Sequence, residues 1–153
     1  MPNTWQVPRL VANVPRCCYT EPQLAAVGLT KAEAAASGIA IDTYVSSLEH
    51  NDRVILEGQV RRLPLMATGC HWFPQSHDGG FVEIHCKQGT GAIVGATVVA
   101  ANAGDMISEI TLAIQAGVGL DVVARVIHPY PTAAEGVMQA GLGYIRKHWA
   151  KYG

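Results

Sequence analysis

Charged side chains are scarce in this sequence, making up 15% of its 153 residues, whereas apolar residues make up 49%. A typical soluble domain is about 25% charged. The length fits one domain with a core of its own. A surface so poor in charge is most simply explained if part of it is buried against another subunit. The formal net charge of −1 gives no field that would attract nucleic acid or an acidic membrane.

The sequence also has no run of about 18 apolar residues, which a helix needs to cross a bilayer. Its first ten residues, MPNTWQVPRL, lack the charged and apolar regions of a signal peptide. These observations predict a cytoplasmic protein without a membrane partner. An organelle is the alternative if coding sequence precedes Met1.

Redox and nucleotide motifs are missing as well. The four cysteines form no C-x-x-C or C-x4-C pair, so we expect reduced thiols: Cys17, Cys18, Cys70 and Cys86. Adjacent Cys17 and Cys18 would lie on opposite faces of a strand. Gly89 and Gly91 have no third glycine in register, so the Gly-rich turn that binds FAD or NAD(P) is not found. The sequence therefore predicts no complete redox site.

The first part of the chain is rich in predicted strands. After a lead-in over residues 1–13, β-branched and aromatic residues predict strands at Val14–Thr20, Gln23–Leu29, Ile39–Val45, Asp52–Leu56, Phe81–Lys87 and Ala92–Ala101. The last two are joined as a hairpin by the turn Gln88–Gly91. Because Ala92–Ala101 is almost wholly apolar, we expect a central strand covered on both faces. Residues 60–78 do not fit this pattern and are predicted to be a loop insertion.

Helices dominate the second part. Thr30 and Glu33 form a capping box for a short early helix. Further helices are predicted from Asn102 to Gln115, from Leu120 to Val126 and from Ala133 to Trp149, the last with the apolar stripe Met138, Leu142, Ile145 and Trp149. Strands followed by helices predict an α+β fold, in which helices pack on one face of a mainly antiparallel sheet.

The segment from Ile127 to Glu135, IHPYPTAAE, carries the main candidate site. Its two prolines stiffen the backbone, and residues two apart in an extended chain share a face, so His128 and Tyr130 would point together. Both groups can exchange protons. The alternative is structural, since Thr132 and Glu135 have the spacing of a capping box for the last helix, and His128 and Tyr130 would then be ordinary surface residues.

Four blocks of the sequence carry a family resemblance: Pro15–Glu33, Asn51–Gly58, Phe81–Gly117 and Ile127–Glu135. In this order they resemble the C-terminal dimerisation domain of the pyridine nucleotide-disulfide oxidoreductases, which include lipoamide dehydrogenase, glutathione reductase and mercuric reductase. The resemblance implies FAD-containing homodimers that use NAD(P)H. It also marks residues 60–78 as an insertion, because family members pass almost directly from the second block to the third.

In that family, a His-Pro-Thr-x-x-Glu segment enters the disulfide site of the other subunit, where the histidine exchanges protons and the glutamate orients it. Here Tyr130 stands in place of the histidine, and a phenol is a poor base at neutral pH. The change resembles the mercuric reductase branch, although this chain ends HWAKYG, without that branch's cysteine pair. The resemblance implies Tyr130, Glu135 and His128 as catalytic residues supplied in trans, with His128 and Pro129 touching the partner's FAD.

The sequence therefore predicts a dimerisation domain, inactive by itself and holding no cofactor of its own. Its partner would be a second copy or the FAD- and NAD(P)-binding domains of a full-length reductase. Glycines at 136, 141 and 143 in the last helix suggest close packing at the two-fold contact. Two alternatives stay open: a stand-alone module that pairs with full-length reductases, and a metal-binding protein using Cys70, His71 and His77 with His85 or Cys86.

Overall fold

The computed structural model describes residues 13–59 and 79–151. Within these residues, antiparallel strands form one five-stranded sheet in the order β1-β2-β5-β4-β3. The strands are β1 (Arg16–Cys18), β2 (Gln23–Gly28), β3 (Ile41–Ser47), β4 (Phe81–Lys87) and β5 (Ile93–Ala100). The sheet is thus the antiparallel one that the sequence predicted, with β5 at its centre.

The helices are α1 (Lys31–Ala36), α2 (Asp52–Leu56), α3 (Ala103–Ala116), α4 (Leu120–Val123) and α5 (Glu135–Lys147), followed by a 3-10 turn at Trp149–Lys151. Helix α3 packs on β2 and β5, α5 packs on β3 and β4, and α4 packs against α5. None of the helices in the described part of the chain is long and apolar enough to cross a membrane. The α+β architecture is confirmed.

The core lies between the sheet and the two long helices. Val82 pairs with Val98, and Ile84 pairs with Ala96, so that alternate residues of β4 and β5 point to the same face. All four are buried, and Ile110 of α3 and Tyr144 of α5 are buried in the same cluster. Along most of β5, fully buried residues alternate with half-buried ones. One face of the strand is therefore fully buried and the other only partly, so the expectation of a strand buried on both faces was only half right.

Asp52–Leu56 was predicted to be a strand, and this was wrong, since these residues form α2. The side chain of Asn51 accepts hydrogen bonds from the backbone N–H groups of Arg53 and Val54, at 3.1 and 3.2 Å. A cap that satisfies two free amides stabilises a first helical turn. This local bond outweighs the β-propensity of Val54 and Ile55.

Other boundaries are shorter than predicted. The first strand covers only Arg16–Cys18, α4 ends at Val123, and α5 runs from Glu135 to Lys147. Cys17 packs against the core while Cys18 is exposed, which confirms their opposite orientations. The lead-in apart from Asn13, the predicted insertion at 60–78, and Cys70, His71 and His77 lie outside the described residues.

The predicted apolar stripe was only partly right, since Ile145 packs against the core while Met138 and Leu142 are only half-buried on this last helix. Its buried residues are Gly136, Val137, Ala140, Gly141 and Tyr144, whereas Trp149 is exposed. Small side chains on this face bring the α5 backbone close to its neighbours. A Cβ added to Gly141 would lie 2.9 Å from the Cα of Ala124, beside α4. The glycine hypothesis therefore needs correction, because the close partner of Gly141 belongs to the same chain.

Candidate functional site

Tyr130 lies in the segment between α4 and α5, and its side chain is largely presented to solvent, with 71% of the residue exposed. The phenol hydroxyl donates a hydrogen bond to the Oδ2 atom of Asp52, the first residue of α2. This bond and the negative charge of Asp52 raise the pKa of Tyr130 above its ordinary value, and the charge of Glu135 adds to the effect. Tyr130 is therefore a protonated hydrogen-bonding group at neutral pH.

A cavity of about 410 Å³ opens beside this pair. Its lining is mainly polar and includes Ser47, His50, Asn51, Asp52, Tyr130 and Glu135. The size is in the range of small-molecule sites. Two of the predicted catalytic residues, Tyr130 and Glu135, are thus brought to one cavity by the fold.

Glu135 also has a structural contact. Its Oε2 atom accepts a hydrogen bond from the backbone N–H of Thr132, at 3.1 Å. The reciprocal bond of a capping box is not formed, because the Glu135 backbone N–H donates to the backbone carbonyl of Thr132, at 3.3 Å. The Thr132 hydroxyl donates to the carbonyl of Pro129, at 2.7 Å. One half of the predicted box therefore exists, and α5 begins at Glu135 instead of Ala133.

His128 does not share the cavity with Tyr130. Its Nε2 lies 2.9 Å from Glu109 Oε1 in α3, and its Nδ1 lies 2.9 Å from the carbonyl oxygen of Val126. The side chain is only 5% exposed. The expectation that His128 and Tyr130 point together was therefore wrong, because hydrogen bonds direct the two rings to different helices.

These contacts also bear on the predicted approach to a partner's FAD. Both ring nitrogens of His128 already have acceptors within the chain, so the ring does not fit a role as a free donor to a flavin. Pro129 and Ile127 are exposed. The predicted contact of Pro129 with a partner's FAD stays a prediction.

The cysteines contribute no redox pair to the described part of the chain, where Cys17, Cys18 and Cys86 are free thiols. Burial raises the pKa of the Cys86 thiol to about 12, which leaves it protonated and unreactive at neutral pH. Residues 13–59 and 79–151 contain no group of three histidine, cysteine or carboxylate side chains that could hold a metal ion. His85, which was considered as a metal ligand in the alternative hypothesis, is instead buried, and its Nδ1 atom lies 3.1 Å from the hydroxyl oxygen of Thr43.

Comparison with known proteins decides the family. The model of the pyridine nucleotide-disulphide oxidoreductase dimerisation domain matches residues 14–141. The chain belongs to this family. Mercuric reductase from Streptomyces lividans and dihydrolipoyl dehydrogenase from Halobacterium salinarum are each 35% identical to it over 127 residues, covering 83% of this chain and 23% of the relative. The resemblance of the four sequence blocks is thereby confirmed.

Solved structures of reductases share the fold of this dimerisation domain. The structure of LpdA from Mycobacterium tuberculosis has a TM-score of 0.69 at 26% identity, covering 86% of this chain and 25% of the other. The copper(II) complex of the flavoprotein disulfide reductase RclA from Escherichia coli has a TM-score of 0.68 at 18% identity, covering 85% and 25%. The dimerisation domain thus spans about a quarter of the length of the proteins it matches.

The sequence did not indicate the partners of Tyr130 and His128, which are Asp52 and Glu109. Asp52 was assigned to a strand, although it belongs to the block Asn51–Gly58 that carries part of the resemblance. Glu109 was treated only as part of the helix that contains Met106 and Ile110, and no contact was predicted for its side chain. The pairs Asp52–Tyr130 and Glu109–His128 join residues 78 and 19 positions apart, which no local spacing indicates.

Proposed function

We propose that this domain pairs two copies of a FAD-dependent, NAD(P)H-using reductase and supplies Tyr130 and Glu135 to the redox site of the neighbouring subunit. The observation that carries the proposal is that both side chains line one open cavity while Tyr130 is 71% exposed in the isolated chain. A phenol held at the surface beside a cavity is placed to meet a group from another polypeptide. The partners are a second copy and the FAD- and NAD(P)-binding domains of such a reductase.

Exposed apolar residues near this segment support association. Ile127 is 93% exposed, and Leu112 of α3, Val122 of α4 and Val126 are also exposed. The bond between His128 and Glu109 holds the loop against α3. We propose that these four exposed residues, Leu112, Val122, Val126 and Ile127, form one apolar patch at the contact between subunits. A two-fold dimer uses the same patch on both copies, so one such surface is sufficient.

Sedimentation velocity on the purified chain tests association. The wild type is expected to sediment as a dimer, and Ile127→Lys is expected to shift it toward monomer because a charge would be buried at the contact. Val45→Lys is the matched control, since Val45 is a half-exposed apolar residue on the sheet face opposite Tyr44 and the helices. A monomeric wild type, or an Ile127→Lys variant that dimerises as tightly as wild type, would contradict the proposal.

A chimera tests delivery of the residues. The chain would replace the matching quarter of the mercuric reductase from Streptomyces lividans, and turnover with NADH or NADPH would be compared with Tyr130→Phe and Glu135→Gln versions. Loss of a hydrogen bond used in the reaction is expected to lower kcat by about tenfold or more. A fully active Tyr130→Phe chimera would refute the role of the phenol while leaving association untouched.

A further inference from the structure

The phenol of Tyr130 is fixed by a side chain that no catalytic motif in the sequence includes. We propose that Asp52 is a positioning residue for Tyr130. The hydrogen bond from the Tyr130 hydroxyl to the Asp52 carboxylate holds the tyrosine ring over the cavity that Glu135 also lines. What Tyr130 does in a neighbouring subunit rests on the proposed function. The pairing itself belongs to this chain and can be tested on it alone.

The backbone around the pair is tied together by Asn51. Its Oδ1 atom caps α2, while its Nδ2 group donates to the carbonyl oxygen of Thr132, at 3.0 Å. Thr132 is two residues after Tyr130, and Asp52 directly follows Asn51. The start of α2 and the segment that carries Tyr130 are therefore held in a fixed relation, which keeps the Asp52 carboxylate within reach of the phenol.

Asp52 is the carboxylate that fits this positioning role. Glu135 lines the same cavity, but its Oε2 atom is engaged by the backbone of Thr132. The phenol hydroxyl instead bonds to Asp52. A largely exposed tyrosine without such an acceptor would sample several rotamers of its first side-chain torsion. The bond to Asp52 selects one of them.

The same contact determines how the phenol behaves chemically. Its proton is directed to Asp52, so the hydroxyl oxygen retains acceptor capacity toward a donor in the cavity. When a partner covers this surface, water is excluded and the bond becomes stronger. Asp52 thus fixes the direction of the phenol O–H. Because a phenol is already protonated at neutral pH, Tyr130 can serve there as an oriented hydrogen-bonding group and not as a base.

Nuclear magnetic resonance of the full chain labelled with ¹³C at the tyrosine rings tests the proposal. The Tyr130 signal, assigned with Tyr130→Phe, is expected to titrate above the ordinary phenol value, because the hydrogen bond to Asp52 and its negative charge raise the pKa of Tyr130. In Asp52→Asn, the Tyr130 titration is expected to shift down toward the ordinary phenol value near 10. In Asp52→Ala, which removes the acceptor as well as the charge, the three-bond couplings of the Tyr130 β-protons are expected to change from those of one rotamer to an average.

Glu49→Gln is the matched control, because it removes an exposed carboxylate three residues from Asp52 and should alter neither readout. Should Asp52→Asn fail to fold, Asp52→Ser removes the same charge with a residue common at helix starts. Unchanged titration and unchanged couplings in a folded Asp52 variant would overturn the proposal. That failure is distinct from a monomeric wild type, which would refute the proposed dimer and leave the Asp52–Tyr130 pair intact.

Discussion

Two glycines of α5, Gly141 and Gly143, should respond in opposite directions to the same substitution. A Cβ at Gly141 would lie 2.9 Å from both the Cα and the Cβ of Ala124 and 3.0 Å from its backbone nitrogen. Carbon atoms normally approach to about 3.5–4.0 Å. At Gly143, by contrast, the nearest atom to an added Cβ is Tyr44 Cδ1, at 4.0 Å.

The magnitudes follow from two competing effects. Alanine gains about 1 kcal/mol over glycine in a helix interior. Overpacking costs about 1–3 kcal/mol, and the upper part of this range applies at Gly141 because the opposing atoms belong to the backbone and Cβ of Ala124, which cannot rotate away. Gly143→Ala is therefore expected to stabilise the domain by about 1 kcal/mol, and Gly141→Ala to destabilise it by about 1–2 kcal/mol.

Urea unfolding followed by far-ultraviolet circular dichroism measures both variants. They must be compared with wild type at one protomer concentration, because association makes apparent stability concentration-dependent. In thermal unfolding, 1 kcal/mol corresponds to about 2–4 °C at this chain length. A Gly141→Ala variant as stable as Gly143→Ala would refute the conclusion that α4 and α5 are in backbone contact at Gly141.

Three further outcomes are expected. Leu48→Ala, which empties a fully buried site, should lower the free energy of unfolding by about 2–5 kcal/mol in urea titrations. Alkylation at neutral pH should modify the exposed Cys18 readily, and peptide mass mapping should find Cys86 unmodified until the chain unfolds, because Cys86 is buried and its pKa is raised to about 12. Equal labelling of the two cysteines would contradict the burial of Cys86. Asp42 accepts hydrogen bonds from the Lys147 side chain and the Gly89 backbone, and both bonds lower the pKa of Asp42 in the folded protein. Its contribution to the stability of the fold is therefore fully present above the pKa of the unfolded chain, near 3.9, and is lost as the pH falls through the folded pKa. Asp42→Asn should therefore flatten the acid-side loss of stability measured by unfolding at successive pH values, and an unchanged slope would count against the contribution.

Much of the secondary structure could be predicted because its determinants are local. The box at Thr30 and Glu33 forms as expected, with the Thr30 backbone N–H 2.8 Å from Glu33 Oε2. The hairpin between β4 and β5 forms because its turn residues are adjacent in sequence. One failure is equally local in origin. At Asn51 a single side chain supplied two capping bonds, and this outweighed a run of residues typical of strands.

The apolar face of α5 shows a different limit. Met138, Leu142, Ile145 and Trp149 have the spacing of a buried stripe, yet the most buried face is built from smaller residues and Tyr144. Hydrophobicity favours burial of large side chains, but the helix here lies so close to its neighbours at Gly136 and Gly141 that even an added Cβ would clash there. Side-chain size at a close contact cannot be read from periodicity alone.

The sequence by itself determined the fold class, the order of strands and helices apart from α2, the family, and the presence of a tyrosine where a histidine is expected. Composition, turn residues and motif order are local properties of the chain. Only the tertiary structure decided that Tyr130 meets Asp52 and that His128 meets Glu109. The physical reason is that a hydrogen bond between residues far apart in sequence depends on how helices and sheet pack. A spacing of two residues in an extended segment cannot specify which distant carboxylate each side chain will reach.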